Sequence, residues 1–470
     1  MCQYTSRFGT RDGRRLAWLA GAWLLAGCRA SGPVPQPRQE GQPLVLTHVG
    51  VFDPRAGVVL RDRAILIEGR FVRSLASAES LPVPRGARTI DGHGKVVIPG
   101  LWDMHVHLVL EGSAAPLQYV AHGVTTVRDM GGRFEDVDAL RRAIASGALV
   151  GPRIFATGPQ IENAGAMVEI LRGATAADSA RARRDRLVLS TPAEASRAID
   201  SLATLGVDAI KARDFADAST YWAIANAARR NGITLVGHAP FGLDVDPIAL
   251  ADSGQRSLEH WYFPTDLPSR PRAEYERIVA AYARKGTALV PTLDAWRQHR
   301  FTVDSLVRMQ AAMRRDARAA NVPDVLWRNW EQDLERRRHE RDGRPATAAE
   351  LAGWNRVLDE FAQQAHTLLE KGVPILAGSD IPFARFSGEA LQDEVVLLVR
   401  DGGLTPAEAI TSATLAPARF LGLADSLGTL APGMVADLVV LDQDPTVNIE
   451  NIRRVRAVMR NGRWVWGRVR

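Results

Sequence analysis

The sequence predicts an α/β fold, a (β/α)8 TIM barrel with a small β-sandwich domain formed from both chain ends. Eight apolar, β-rich runs alternate with helical stretches between Val96 and Asp380, the pattern of a parallel sheet covered by helices. Short strand and turn signals occupy the two ends of the chain. The side chains suited to metal binding and acid–base chemistry fall at or near the ends of the apolar runs, the rim on which barrel active sites are built. With 470 residues the chain can hold such a barrel and a smaller companion, and it can bury a full core.

Residues 1–27 read as a secretory signal peptide: a basic start with Arg7, Arg11, Arg14 and Arg15, then the apolar run Leu16–Gly27, with small residues before Cys28. The run is too short to remain as a membrane-spanning helix. Leu25-Ala26-Gly27-Cys28 resembles a bacterial lipobox, which implies acylation of Cys28 and attachment to a membrane by lipid; a plain signal peptide with a chance cysteine is the alternative. Arg29 in place of an acid after Cys28 favours the outer membrane, facing the periplasm. Residues 28–43, rich in Pro, Gly and Gln, read as a lipidated tether. Cys2 leaves with the signal, so the exported chain holds no pair of cysteines to oxidise.

Basicity does not point to nucleic acid. The formal charge is +6, the arginines are spread along the chain, and the first 27 residues carry four of them against the single acid Asp12. The 46% hydrophobic and 24% charged fractions are those of a globular domain.

Residues 44–96 hold strand-like runs at Leu44–Leu46, Ala64–Glu68, Phe71–Leu75 and Arg88–Ile90, the first part of the β domain. The barrel is expected over 97–421, with runs at Val96–Leu108, Gly123–Met130, Arg153–Gln160, Val207–Ala212, Thr234–His238, Ser257–Trp261, Ala288–Leu293 and Pro374–Asp380. Alternation alone also fits an open doubly wound sheet, but no Gly-rich dinucleotide fingerprint follows the first run. Residues 296–370 read as a helical insertion over the barrel mouth, and its run Arg336-Arg337-Arg338 reads as a solvated helix face. Residues 422–470 return to strands, with Asn461-Gly462 marking a hairpin, and supply the second part of the β domain.

His105-Val106-His107 ends the first run, and the two-residue period of a strand points both imidazoles to one side, where they can share a metal. Lys211, His238, His260 and Asp380 lie at or near the ends of the fourth, fifth, sixth and eighth runs. The chain has only 10 His, and four of them take rim positions; that joint pattern, rather than any single residue, reads as a metal site.

The stretches VVIPGLWDMHVHL, HGVTTVRDMGG, GVDAIKAR, LVGHAP, SLEH, ILAGSD and LTPAEAITSATLAPARFLGLADSLGTLAPGMVADLVVLDQDP resemble the amidohydrolase superfamily, in particular imidazolonepropionase-like proteins and Xaa-Pro dipeptidases. The resemblance implies two divalent metal ions, with His105, His107 and Asp380 on one, His238 and His260 on the other, and an N6-carboxylated Lys211 bridging them. Zinc suits these donors. It further implies hydrolysis of a C–N amide bond in a small-molecule substrate such as a dipeptide or N-acyl amino acid through a metal-bridging hydroxide, with Asp380 as catalytic acid/base. A mononuclear cyclic amidohydrolase or deaminase, and a non-catalytic surface lipoprotein that binds small molecules, are the other readings. Tyr262 is a candidate donor to the substrate oxyanion, within EHWYFP where relatives often have EHG. Arg128, with Asp129, is a candidate for the substrate or the rim, or half of a structural ion pair. His122 on a helix and His366 in the insertion are expected to be non-ligands, and the oligomeric state is left open.

Overall fold

The computed structural model describes residues 42–240, 242–260, 270–339, 344 and 346–469. The signal, Cys28, nearly all of the tether and Tyr262 lie outside the described residues. Among those described, no helix is long and apolar enough to cross a membrane.

In chain order the strands are β1 (Leu44–Asp53), β2 (Val58–Glu68), β3 (Phe71–Ser77), β4 (Arg88–Asp91), β5 (Val96–Pro99), β6 (Leu101–Val106), β7 (Val124–Asp129) and β8 (Arg153–Ala156). They continue with β9 (Gln160–Glu162), β10 (Arg186–Val188), β11 (Ala209–Ala212), β12 (Thr234–Gly237), β13 (Gln255–Glu259) and β14 (Ala288–Val290). The last three are β15 (Leu438–Leu441), β16 (Val455–Arg460) and β17 (Arg463–Gly467).

Strands from both chain ends form one sheet in the order β17-β16-β15-β5-β1-β2-β3, with β4 also on β1. The C-terminal part joins where β15 pairs antiparallel with β5, from Leu438 opposite Pro99 to Leu441 opposite Val96. As expected, β material from both chain ends joins in one small domain, and its strand pairing gives a single connected sheet. Register irregularities between Leu46 and Val51 let the first half of β1 carry β4 and its second half carry β5. Side chains alternate between two cores: Leu438 and Val440 bury with Leu44, Leu46, Ile65 and Ile67, while Val439 and Leu441 join the large core of the rest of the chain.

The middle of the chain holds two parallel sheets, β6-β7-β8 and β10-β9-β11-β12-β13-β14. Seven of the eight predicted runs contain one of these strands. The eighth, Pro374–Asp380, makes only an isolated bridge between Leu289 and Ile375. Pro374 has no N–H to donate, and Asp380 sits at a left-handed φ of 57°, so a regular ladder does not form. The segment still lies between β14 and β6: Leu376 N donates to Leu289 O at 2.9 Å, Met104 N to Ala377 O at 3.0 Å, and Asp380 N to His105 O at 2.7 Å. On the other side, Asp208 N donates to Ala156 O at 2.8 Å, tying the end of β8 to the start of β11. The short strands β9 and β10 carry too few residues for a periodic signal, and the sequence reading did not expect them.

Between β14 and Pro374 the chain forms helices Leu293–Arg297, Val303–Arg314, Asp324–His339 and Ala348–Glu370. Trp327, Trp330 and Leu334 of the third pack with Leu306, Phe383 and Phe386, so this helix is seated on the loop that follows Asp380.

One glycine sets the exit of β12 toward the site. Gly237 has φ 127°, and a Cβ there would lie 1.9 Å from Ala212 O. We expect Gly237→Ala to lose about 2 kcal/mol or more of stability, the scale of a forced backbone conformation; urea unfolding midpoints measure this, and a wild-type midpoint would refute it.

Candidate metal centre

Each expected ligand stands at or just past a strand end. His105 lies in β6 and His107 one residue beyond it, Lys211 lies in β11, and His238 and His260 follow directly on β12 and β13. Asp380 ends the Pro374–Asp380 segment. His260, like Asp380, is left-handed at φ 60°, which breaks strand alternation and lets consecutive residues Glu259 and His260 both serve the site. Non-glycine residues in that region are strained, and such strain gathers at functional positions.

The six side chains come together. His107 Nε2 lies 3.3 Å from Asp380 Oδ1, His105 Nε2 3.8 Å from the same oxygen, and His260 Nε2 3.8 Å from Asp380 Oδ2. His105, His107 and Asp380 offer ligand atoms within 4.8 Å of one another, the spacing of a metal site. His260 continues the cluster, its ring centroid 4.6 Å from that of His105 and 5.2 Å from that of His238. Lys211 is 1% exposed, and its charge acts on His105, His107, His238 and His260.

Each of three imidazoles is held through Nδ1, leaving Nε2 for the cluster. Glu259 Oε2 is 2.9 Å from His105 Nδ1, Gly131 O is 3.3 Å from His107 Nδ1, and Thr292 Oγ1 is 2.7 Å from His260 Nδ1. Partners of this kind set the tautomer and orientation of metal-bound histidines. Glu259 is itself fixed by Arg128, whose Nη2 reaches both carboxylate oxygens at 2.8 and 3.0 Å, while Nη1 donates to Ser257 and Nε to Met104 O.

Protonation follows from this packing. Burial, and then the charge of Lys211, push His105 down to about 4, and burial also drives His238 and His260 well below the usual imidazole range. Neutral imidazoles are the form a metal ion needs. Burial lowers Lys211 to about 8 against the pull of Glu259 and Asp380. For Glu259 burial acts upward, but Arg128 and His105 outweigh it and keep the carboxylate ionised. Burial likewise opposes ionisation of Asp380, and the surrounding imidazoles outweigh it.

Arg128 does not reach the cavity: it is 1% exposed and braces Glu259. Nor does it pair with Asp129, whose carboxylate accepts Leu108 N and Gly131 N. His122 caps a helix and bonds Gln118 O, and His366 lies 3.8 Å from Glu370 in the insertion; neither joins the cluster.

Within the Arg run, Arg336 and Arg338 are exposed as expected, and Arg337 departs from the solvated face. A cavity of about 530 Å³ containing His238, His260 and Asp380 is also lined by Trp296, His299, Asp333, Arg336, Arg337 and Trp354, all from the insertion. Arg337 is 7% exposed. A smaller cavity of about 110 Å³ reaches His107 and Gln160, and Asn329 and Gln332 line it. Sequence reasoning missed Glu259, Thr292 and these lining residues. Glu259 sat inside the SLEH stretch, next to an expected ligand; the others carried no local signal.

The amidohydrolase family model matches residues 96–465. Imidazolonepropionase from Rhodococcus jostii is 24% identical over 433 residues, 90% of this chain and 95% of that one. The match to imidazolonepropionase from Thermoplasma volcanium is 32% identical over 116 residues, 24% of this chain and only 28% of that enzyme. In fold the chain is similar to a Xaa-Pro dipeptidase with bound methionine in the active site, at TM-score 0.65 and 21% identity over 91% of this chain and all of that one. It is also similar to bottromycin amidohydrolase, at TM-score 0.67 and 23% identity over 92% and 88%. With the family model spanning both parallel sheets and every residue of the cluster, the chain belongs to the amidohydrolase family.

Proposed function

We propose that this protein is a binuclear metal-dependent hydrolase that cleaves a C–N amide bond in a dipeptide or N-acyl amino acid. The convergence of Asp380 with His105, His107 and His260 at 3.3 to 3.8 Å carries this reading. In it, the two parallel sheets and the Pro374–Asp380 segment act as one (β/α)8 barrel with the cluster at its mouth.

The donor set fits divalent metal. The buried imidazoles of His105, His238 and His260 held neutral, an ionised carboxylate and a buried lysine would be a poorly compensated group by themselves, and zinc suits such donors. His105, His107 and Asp380 would hold one ion, His238 and His260 the other, and a carboxylated Lys211 would join them. Two bound ions supply Lewis acidity that lowers the pKa of a water and polarises a substrate carbonyl.

The chain's own residues do the rest. Asp380, with a side chain 24% exposed, is the most open of the cluster carboxylates and meets substrate in the cavity. Ionised at neutral pH, it takes the proton of the attacking water and delivers it to the leaving nitrogen. Glu259 and Thr292 keep His105 and His260 aimed while this happens. Imidazolonepropionase relatives and the Xaa-Pro dipeptidase neighbour support C–N hydrolysis as the reaction class. Export as a lipoprotein anchored through Cys28 completes the proposal.

Elemental analysis of purified wild type and Lys211→Ala tests the centre. Two ions per wild-type chain, with loss in the variant, is the expected result; one ion in both would replace this reading with a mononuclear enzyme. Asp380→Asn is expected to fold normally yet turn over amides about 100- to 10,000-fold more slowly, the usual range for a lost acid/base. Near-normal steady-state rates in that variant would remove Asp380 from its role. Glu259→Gln should weaken metal binding about 10- to 100-fold, as seen when a histidine loses its outer partner; competition with a chromophoric chelator reads this directly.

A further inference from the structure

The helix Asp324–His339 presents Asn329, Gln332, Asp333, Arg336 and Arg337 to the two cavities that flank the metal cluster. Their spacing of three and four residues places them on one helix face. The adjoining face, with Trp327, Trp330 and Leu334, is buried on Phe383 and Phe386 just after Asp380, so packing fixes which face meets the site. Arg328 ties the helix to Asp178 through two bonds of 2.9 and 3.0 Å.

On that face two guanidinium groups share one carboxylate. Arg337 Nε donates to Asp333 Oδ2 at 2.7 Å, and Arg336 donates to Asp333 Oδ1. Arg337 Nη2 lies 3.5 Å from His299 Nε2. Asp333 therefore orients both arginines at the cavity. Arg213 adds another guanidinium to the same lining, bonded behind to Glu162 at 2.8 Å. Beside them His299 packs on Trp296 and Trp354 with ring centroids at 5.5 and 4.7 Å, an aromatic wall.

We propose that this helix is the element that reads the substrate, with Arg336 and Arg337 selecting a compound that carries a carboxylate and the Trp296–His299–Trp354 wall accepting its side chain. This rests on the amide-hydrolase reading of the neighbouring cluster. A guanidinium held at a cavity wall recognises a carboxylate through charge-assisted hydrogen bonds. A neutral carboxamide of the same shape offers no charge to the pair. Arg336 and Arg337 are specificity-determining residues; the reacting atoms belong to the cluster.

The test compares N-acetyl-L-phenylalanine with N-acetyl-L-phenylalaninamide on the metal-loaded wild type, Arg336→Gln and Arg337→Gln. Turnover is followed by acetate release, and binding by calorimetry. The wild type should prefer the carboxylate by about 10- to 100-fold, the range for a lost charged hydrogen bond, and each variant should lower that ratio mainly through KM. Arg336, with a side chain 67% exposed, can be replaced without disturbing the core. Metal content and the unfolding midpoint serve as controls for both variants. Hydrolysis of both compounds with a preference unchanged in both variants overturns the proposal and leaves the hydrolase reading standing. Calorimetric preference for the carboxylate that the variants lose, without acetate release from either compound, supports the proposal and counts against the hydrolase reading. Equal binding of the two compounds to wild type overturns it outright.

Discussion

Glu259 is fully buried, yet it is ionised, and the site depends on how that charge is held. Arg128 grips it from β7, Ser257 bonds it from its own strand β13, and His105 of β6 takes its remaining side. A carboxylate withdrawn from water is costly unless paired and hydrogen-bonded, and both conditions are met here by elements distant in sequence. The result is a rigid link between the first and sixth expected strands of the barrel. It aims His105 at Asp380, and the rest of the cluster is arranged around that direction.

The strand that carries His105 is supported from below by the chain-end sheet. Only Gly100 separates β5 from β6, and a Cβ at that position would lie 2.1 Å from Thr125 Oγ1 of β7. The C-terminal β15 pairs along β5, and Trp102 N donates to Ala413 O at 2.8 Å. Both ends of the chain thus converge on the start of β6. The chain-end sheet is a structural foundation for the His–Asp cluster, although none of its residues enters the cavity that holds His238, His260 and Asp380.

Above the cluster, the insertion has a different task. Its helix Asp324–His339 is amphipathic in an unusual sense: its Trp-rich face is buried on the loop that follows Asp380, and part of its charged face is turned inward over the cavity. Charge runs usually belong to solvent, and Arg338, half exposed beside Glu335, follows that rule. Arg337 does not, because a neighbouring tryptophan-lined cluster pulls its side of the helix toward the site.

Much of the site was legible in the residues themselves. The spacing of His105 and His107, and the position of Lys211, His238, His260 and Asp380 near the ends of apolar runs, are local properties of a chain with period-two strands, so the sequence determined which residues meet in the cluster and the alternating α/β layout. It could not determine the strand order within the chain-end sheet, where β15 pairs with β5 while β4 and β5 both pair with β1. Nor could it find the partners of the ligands: His105 and Glu259 are 154 positions apart, and His260 and Thr292 are 32 apart. The inward turn of Arg337 likewise depends on the packing of Trp327, Trp330 and Phe383. Tertiary structure alone decided these features, because burial, close approach and charge pairing exist only once separate strands and helices have been brought together.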